Sequence, residues 1–468
     1  MLKYKILAAA MLAAFSSANA VYVSTDTGQV LIGPYYTVQN GQETILSIVN
    51  TSADTKAIKV RFLEAVNSRD VLDFNLYMSP FDVWTAKLTH DEGTGGVRII
   101  SPDESCTTPI IPEEGEPFRK IAYDGTHPDY PLDGGDTTYA RLREGHFEII
   151  EMGIADPDSL GAWDRNDDGI PDSTHVAGSG IPERCATFVE NWTIPTGEWD
   201  ESNPLTLDTL PPTGGLFGSA AVIDVQVGTE FDVPLTVLDQ FSLLPIHARP
   251  GTLKPDLRDA FPSISEVRAS DKTLYVDAWD FGVNAVSAVL MADRIFQEYS
   301  VNPNVEAETA WVVSFPTKHE HVDLDVVQRQ PFTREFEDGI SCDPVSYLIW
   351  DREEENVEGD EPGFSPMPPS EQALLCYETN VINFNGGNPL SSGETSVNFD
   401  SGFKNGWGVL GFRGVAHKMT SLNGNTHYGL PVIGFRTTRL GNSNVGIGAA
   451  YSVANEFKYR RTVSGSGE

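Results

Sequence analysis

Between positions 58 and 63 the chain reads Ile-Lys-Val-Arg-Phe-Leu, with apolar and charged residues taking turns. Successive side chains of an extended strand point to opposite faces. Ile58, Val60 and Phe62 are therefore expected on a buried face, and Lys59 and Arg61 on the other face toward water. A helix would scatter the same residues around its circumference. Comparable apolar runs occupy 29–32, 35–38, 44–50, 74–78 and 82–86, and turn formers such as Asn40-Gly41 separate them. Short strands at intervals of roughly ten residues predict an antiparallel sandwich. The fold class expected is mainly β: an antiparallel immunoglobulin-like sandwich, then a second β-rich domain with one packed helix.

A chain of 468 residues exceeds what one small core holds, so two domains are expected. The first spans 21–202. Within it, 105–200 is acidic and rich in Pro and Gly and reads as a long insertion between two strands. It holds one strand around 146–152 and a short helix over 182–192. Residues 203–218, with Pro204, Pro211, Pro212 and Gly214-Gly215, read as the linker. The second domain is 219–468. Its helix is expected over 284–299, where Ala285, Val289, Ala292, Phe296 and Tyr299 share a face and Asn284 stands at the start as a cap.

Residues 1–20 have a basic start at Lys3 and Lys5, a short apolar run and an Ala-Asn-Ala end. That pattern is a secretory signal peptide, and the run is too short to span a bilayer. Export past the inner membrane is thus expected, to the periplasm, the cell surface or the medium, with no transmembrane segment in the mature chain. The formal net charge of −35 repels nucleic acid and anionic lipid, so neither is an expected partner. Cys106, Cys185, Cys342 and Cys376 form an even set, which in an oxidising compartment predicts two disulfides with three possible pairings. The pairing chosen is Cys106 with Cys185 and Cys342 with Cys376, because each pair brackets a stretch of weak periodicity that a crosslink would tie down.

One stretch carries a definite ligand spacing. In Asp164-Arg165-Asn166-Asp167-Asp168-Gly169-Ile170-Pro171-Asp172, oxygen side chains recur at loop positions 1, 3, 5 and 9, with Gly at 6. Asp164, Asn166, Asp168 and Asp172, with the carbonyl of Ile170, are what a hard cation needs. The expected cofactor is one structural calcium ion. Position 12 is His175 where a helix–loop–helix sensor needs a bidentate Glu, which argues against a sensor. The stretch resembles the calcium loops of thrombospondin type 3 repeats, a resemblance confined to these residues and to a metal role. The alternative is a turn built from ordinary turn formers.

Catalytic signatures are few. His319-Glu320-His321 has metal-ligand spacing on a strand, but a third ligand is not identifiable and an exposed polar strand edge is the expected reading. No Gly-x-Ser-x-Gly elbow and no Cys-x-x-Cys pair occurs. Gly386-Gly387-Asn388 lies among hairpins, away from the strand–helix junction a phosphate cradle requires. Trp84, Trp163, Trp192, Trp279, Trp311 and Trp407 could line a sugar platform, although in sandwiches such residues are mostly core.

Three segments (28–38, 73–84 and 311–318) carry a wider resemblance, to exported proteins of Gram-negative bacteria described as cell-surface proteins. The resemblance spans most of the mature chain and brings no activity or site residue with it. The function expected is a secreted or cell-surface structural or adhesive β-protein with a structural calcium site, whose partner is a second copy or a surface polymer. The alternative is a secreted carbohydrate-active or other hydrolytic enzyme on a sandwich scaffold, recognisable by a cleft with convergent carboxylates of shifted pKa. An outer-membrane barrel is disfavoured by the helix and by the long acidic loops.

Overall fold

The computed structural model describes residues 19–465, apart from 129, 200–207, 324–329, 359–372, 394, 400–401, 413, 415 and 442–449. Most of the expected leader and the first five residues of the expected linker therefore lie outside the described residues. Strands dominate what remains, and nearly all their pairings are antiparallel; the short strand Thr395–Val397 runs parallel to Thr379–Phe384.

Two sheets face each other in the first sandwich. The larger runs Tyr22–Ser24, Thr236–Asp239, Val30–Thr37, Glu144–Ala155, Lys56–Glu64, Asp70–Met78 and Cys106–Thr108, with Thr209–Leu210 against the end of Glu144–Ala155. The smaller runs Thr229–Val233, Leu216–Asp224, Glu43–Asn50, Val83–His90, Val97–Ile100 and Glu116–Pro117. Ile58, Val60 and Phe62 point between the sheets as their alternation predicts, meeting Ile48, Trp84 and Val222. At Asn40-Gly41 both residues take positive φ, and the chain there crosses from the larger sheet to the smaller one.

Three domain-level expectations are corrected here. Glu144–Ala155 comes from the middle of the expected insertion 105–200, yet it is a central strand, paired with Val30–Thr37 on one side and Lys56–Glu64 on the other. Every residue in it is buried, so both its faces are apolar-compatible or paired, and the irregular arms are only the stretches before and after it. The expected linker 203–218 does not separate the two sandwiches in the described residues: Thr209–Leu210 and Leu216–Asp224 both belong to the first sandwich, which is complete only at Thr236–Asp239. The Pro-Gly stretch between them makes a tight crossing within a domain.

The helix expected over 284–299 is the third. It spans Gly282–Leu290 only, and Arg294–Ser300 is a strand paired with Asn405–Gly411. Every helix residue is buried, so its sequence has no polar face to give the period away. Ile295, Phe296 and Tyr299 are β-branched or aromatic and suit the strand they form.

A second sandwich follows. Asn356–Glu358, Asp343–Asp351, Asn405–Gly411, Arg294–Ser300 and Lys458–Arg460 form one sheet, with Ala373–Leu375 beside Asp343–Asp351. Thr395–Val397, Thr379–Phe384, Ala307–Ser314, Ile433–Gly441 and Ala450–Glu456 form the other. The two sandwiches share a core: Leu31 and Tyr35 of the first lie in one apolar cluster with Val312 and Phe435 of the second. Hydrogen bonds cross the same seam, from Thr379 N–H to Ala65 O at 3.0 Å and from Ser392 Oγ to Glu144 Oε2 at 3.1 Å.

The far face of the larger sheet is where the strongest departure lies. Lys59 and Arg61, expected in water, are 0% and 4% exposed. Lys59 Nζ donates to Asp73 Oδ1 at 2.9 Å and to the carbonyl of Arg249 at 3.2 Å, and Asn75 Nδ2 donates to Ala248 O at 2.9 Å. A segment around 247–259 thus lies over this face as a cover, and the helix Gly282–Leu290 packs on the same side against Val30, Ile32 and Ile150. Alternation gave the right faces, but the polar one is sealed by ion pairing. No described helix is long and apolar enough to cross a membrane.

Candidate functional site

Among the described residues, the oxygen-rich loop at 164–172 and a cleft at the edge of the covered face bear most directly on function.

The loop hangs from an aromatic cluster. Trp163 is fully buried, its ring 5.6 Å from Tyr77 and 5.9 Å from Phe188. Trp192 Nε1 donates to Tyr77 Oη at 2.8 Å, and His247 Nε2 lies 3.1 Å from the same hydroxyl. Burial, with the positive charge of Lys59, pushes the imidazole of His247 down to about 3 and keeps it neutral. Asp164, next to this anchor, is buried; its Oδ2 accepts from Gly169 N–H at 2.7 Å and its Oδ1 from Asp168 N–H at 3.3 Å. Asn166 Oδ1 accepts from Asp168 N–H at 3.3 Å, and Asp168 Oδ1 from Ile170 N–H at 2.9 Å. Gly169 takes φ +86°, a turn that a side chain would strain.

Asp172 closes the loop. Its N–H donates to Trp163 O at 2.8 Å, and its Oδ2 accepts from Arg165 N–H at 3.3 Å and from the Thr187 hydroxyl. Its Oδ1 is buried and has no hydrogen-bond partner among the described residues. Arg165 reaches out to Asn191 Oδ1 at 2.9 Å, tying the loop to the short helix Ala186–Asn191. All five expected ligand residues thus share one folded turn. Among the described residues no three His, Cys, Asp or Glu side chains already stand around a common ion position. The carboxylates of Asp164 and Asp168 hold loop amides, and each carboxylate keeps further lone pairs for a cation.

The cysteines pair as Cys106–Cys185 and Cys342–Cys376. The first joins the edge strand of the larger sheet to the start of the helix Ala186–Asn191, beyond the loop. His319 and His321 are not on an exposed strand edge. They lie on a single helical turn, His319–Val322, and they part: His319 Nε2 is 2.9 Å from Glu320 Oε1, whereas His321 Nε2 is 2.9 Å from Ser287 Oγ. Burial opposes the charge on His319, but Glu320 and Glu378 outweigh it and raise its pKa to about 10. The pair is taken apart by the helical turn, because residues two apart on a helix do not face one another. Of the tryptophans considered as a platform, only Trp407 is open, at 42% exposure, stacked on Trp350 with ring centroids 4.2 Å apart. The other five are core.

The cleft was not anticipated from the sequence. It has a volume of about 380 Å³ and is lined by Asp70, Asp73, Ile111, His127, Tyr130 and Leu253, among others. A register shift sets its floor: Arg61 pairs with Asp73 and Phe62 with Leu72, but Leu63 pairs with Asp70. The extra residue brings two carboxylates three positions apart onto one face, which strict alternation would keep on opposite faces. Asp70 Oδ2 accepts from Arg61 Nε at 3.1 Å, and Arg61 Nη1 also donates to Glu148 Oε2 at 2.8 Å. Burial and the charge of Asp73 push the Asp70 carboxyl up to about 7, against the pull of Arg61 and Lys59. The three-residue spacing in Asp70-Val71-Leu72-Asp73 breaks the alternation of its strand, and that break was the available signal.

Compared with protein-family models, curated proteins and solved structures, the chain matches none.

Proposed function

We propose that the chain is a secreted or cell-surface structural or adhesive β-protein, with one structural calcium ion in the loop 164–172. The observation that supports this best is the fusion of two sandwiches and their cover into one body. A single core runs across the seam, and the charged face of the larger sheet is neutralised by ion pairs under the cover. Such an arrangement favours rigidity over movement. Paired cysteines, with no free thiol, suit an oxidising compartment outside the cytoplasm. The loop's amides already orient Asp164, Asn166 and Asp168, so a cation would find its ligands partly organised. Trp407 on Trp350 offers a surface polymer an aromatic face.

Adding a chelator is expected to lower the melting temperature and open the segments around the loop to protease, and Asp168→Ala is expected to abolish that response. An unchanged melting curve with chelator counts against the calcium ion. Fractionating the native protein among medium, outer membrane and periplasm tests the location; recovery in the cytoplasm would sink it.

A second reading, a hydrolytic enzyme, is favoured by one observation. Asp70, with its pKa near 7, and its neighbour Asp73 line a cleft of ligand size, as an acid–base pair requires. Turnover of a glycan or ester substrate that Asp70→Asn abolishes, with the fold intact, would replace the structural reading.

A further inference from the structure

We infer that Lys318 and Asp343 condense into an intramolecular amide bond, a covalent crosslink between the two sheets of the second sandwich. The inference is independent of the calcium ion and of the protein's location. Lys318 lies in the turn between the strand Ala307–Ser314 and the helical turn His319–Val322, and Asp343 opens the strand Asp343–Asp351 of the facing sheet. Both are sealed from water, at 1% and 0% exposure. Cys342, bonded to Cys376, directly precedes Asp343, so the crosslink stands beside a disulfide.

An ordinary buried pair of this kind in the same chain is tight. Lys56 Nζ meets Glu151 Oε1 at 2.6 Å, and that carboxylate also accepts from Thr213 N–H at 3.0 Å and Gly214 N–H at 2.8 Å. Lys318 and Asp343 differ. Nζ stands 3.8 Å from Oδ2, and Oδ2 has no hydrogen-bond partner among the described residues. The ammonium donates instead to the Ser341 carbonyl, and the rings of Phe315 and Phe332 lie 5.8 and 5.7 Å from it. An ion pair this loose does not repay the desolvation of two charges, and condensation removes both. The donors gather on the other oxygen. Oδ1 accepts from Thr333 N–H at 2.8 Å and from the Thr333 hydroxyl at 2.9 Å, and His417 Nε2 lies 3.3 Å from it. The carboxyl is thus arranged for acyl transfer, with one oxygen cradled where negative charge develops and the other available to leave.

Burial lowers the pKa of the Lys318 ammonium against the pull of Asp343 and Glu378, which eases release of its proton. Burial opposes the charge on Asp343 too, but His417 and Lys318 outweigh it and hold its carboxyl below the ordinary range, so the pair starts charged. One proton passes from Nζ to Oδ2, leaving an amine beside a carboxylic acid. The nitrogen lone pair attacks Cγ, the Cγ–Nζ bond forms, and Oδ1 takes the negative charge against Thr333. A second proton follows from Nζ to Oδ2, the Cγ–Oδ2 bond breaks, and water leaves as the Oδ1 double bond returns. Ammonium plus carboxylate gives amide plus water, with no co-reactant. A turn of the lysine stem covers the distance to the roughly 3–3.5 Å at which reacting atoms meet, and the fold supplies the proximity that free molecules lack.

Mass spectrometry of the full chain, reduced, denatured and digested with trypsin, tests this. The expected product is a branched species in which the peptide containing Lys318 is joined to the one containing Asp343, uncut after Lys318 and lighter by one water than the two apart. Lys318→Met, unbranched and suited to the aromatic walls, should return the two peptides separately. Thr333→Val should leave part of the folded protein unlinked, and complete linkage in it overturns the role given to the Thr333 hydroxyl. The wild-type digest is decisive even where a variant fails to fold. Two separate wild-type peptides, with a Lys318 amine that takes up an amine-specific label after unfolding, overturn the crosslink.

Discussion

Arg61 is held between two carboxylates, Asp70 and Glu148, with 5% of its side chain exposed. Removing the cation leaves both acids buried without their partner, which in such settings costs about 3–5 kcal/mol. Arg61→Met should therefore lower the urea midpoint sharply, and less so in mild acid, where Asp70, already pushed up to about 7 with the cation beside it, takes up a proton and carries no charge. A midpoint within error of wild type for Arg61→Met would show that these buried ion pairs do not stabilise the sheet. His247 makes a second prediction, on pH. Its folded pKa is depressed to about 3, whereas an unfolded imidazole titrates near 6.5. Between these values the unfolded chain binds the extra proton, so the contribution of His247 is present above about 6.5 and is lost as pH falls toward about 3. His247→Gln should flatten the fall in unfolding free energy between neutral pH and mild acid. Identical slopes for variant and wild type would refute it.

At the scale of elements, legibility tracked how far local pattern and burial agree. The strand Lys56–Glu64 could be read because alternation is a local property, but the same alternation could not say that Lys59 and Arg61 would be covered. That outcome depends on a cover almost two hundred residues downstream, where Ala248, Arg249 and Thr252 offer carbonyls to the sheet. The helix Gly282–Leu290 was placed too long because it is buried on all sides, and its apolar spacing ran on into a strand with similar residues. The spacing of oxygen side chains in 164–172 was legible because it is sequential, and the structure brings those residues into one turn; the cleft beside Asp70 and Asp73 was not, since it needs a register shift between two strands. The disulfide Cys106–Cys185 closes a separation of 79 residues around the strand Glu144–Ala155 and the loop. Replacing both cysteines by Ser should cost about 2–5 kcal/mol and, on the calcium proposal, deepen the effect of chelator, because the arm has then lost its other tie. A chelator response of equal size with and without the disulfide would separate the two.

For the molecule as a whole, the shared core predicts cooperative behaviour. Phe435 of the second sandwich packs in the same cluster as Tyr35 of the first, their rings 6.5 Å apart. Calorimetry should show one unfolding transition, and Phe435→Ala, at about 3–5 kcal/mol, should lower the whole of it. Two resolved transitions, only one of them moved by the substitution, would mean that the seam is a contact between independent bodies. The order of strands in the larger sheet carries a last consequence. Tyr22–Ser24 pairs with Thr236–Asp239, and the gap between Val30–Thr37 and Lys56–Glu64 waits for Glu144–Ala155. A nascent chain emerging from its N-terminus must therefore carry unzipped apolar edges until half of it has been made, and folding of this protein should depend on a holdase that shields those edges in the meantime.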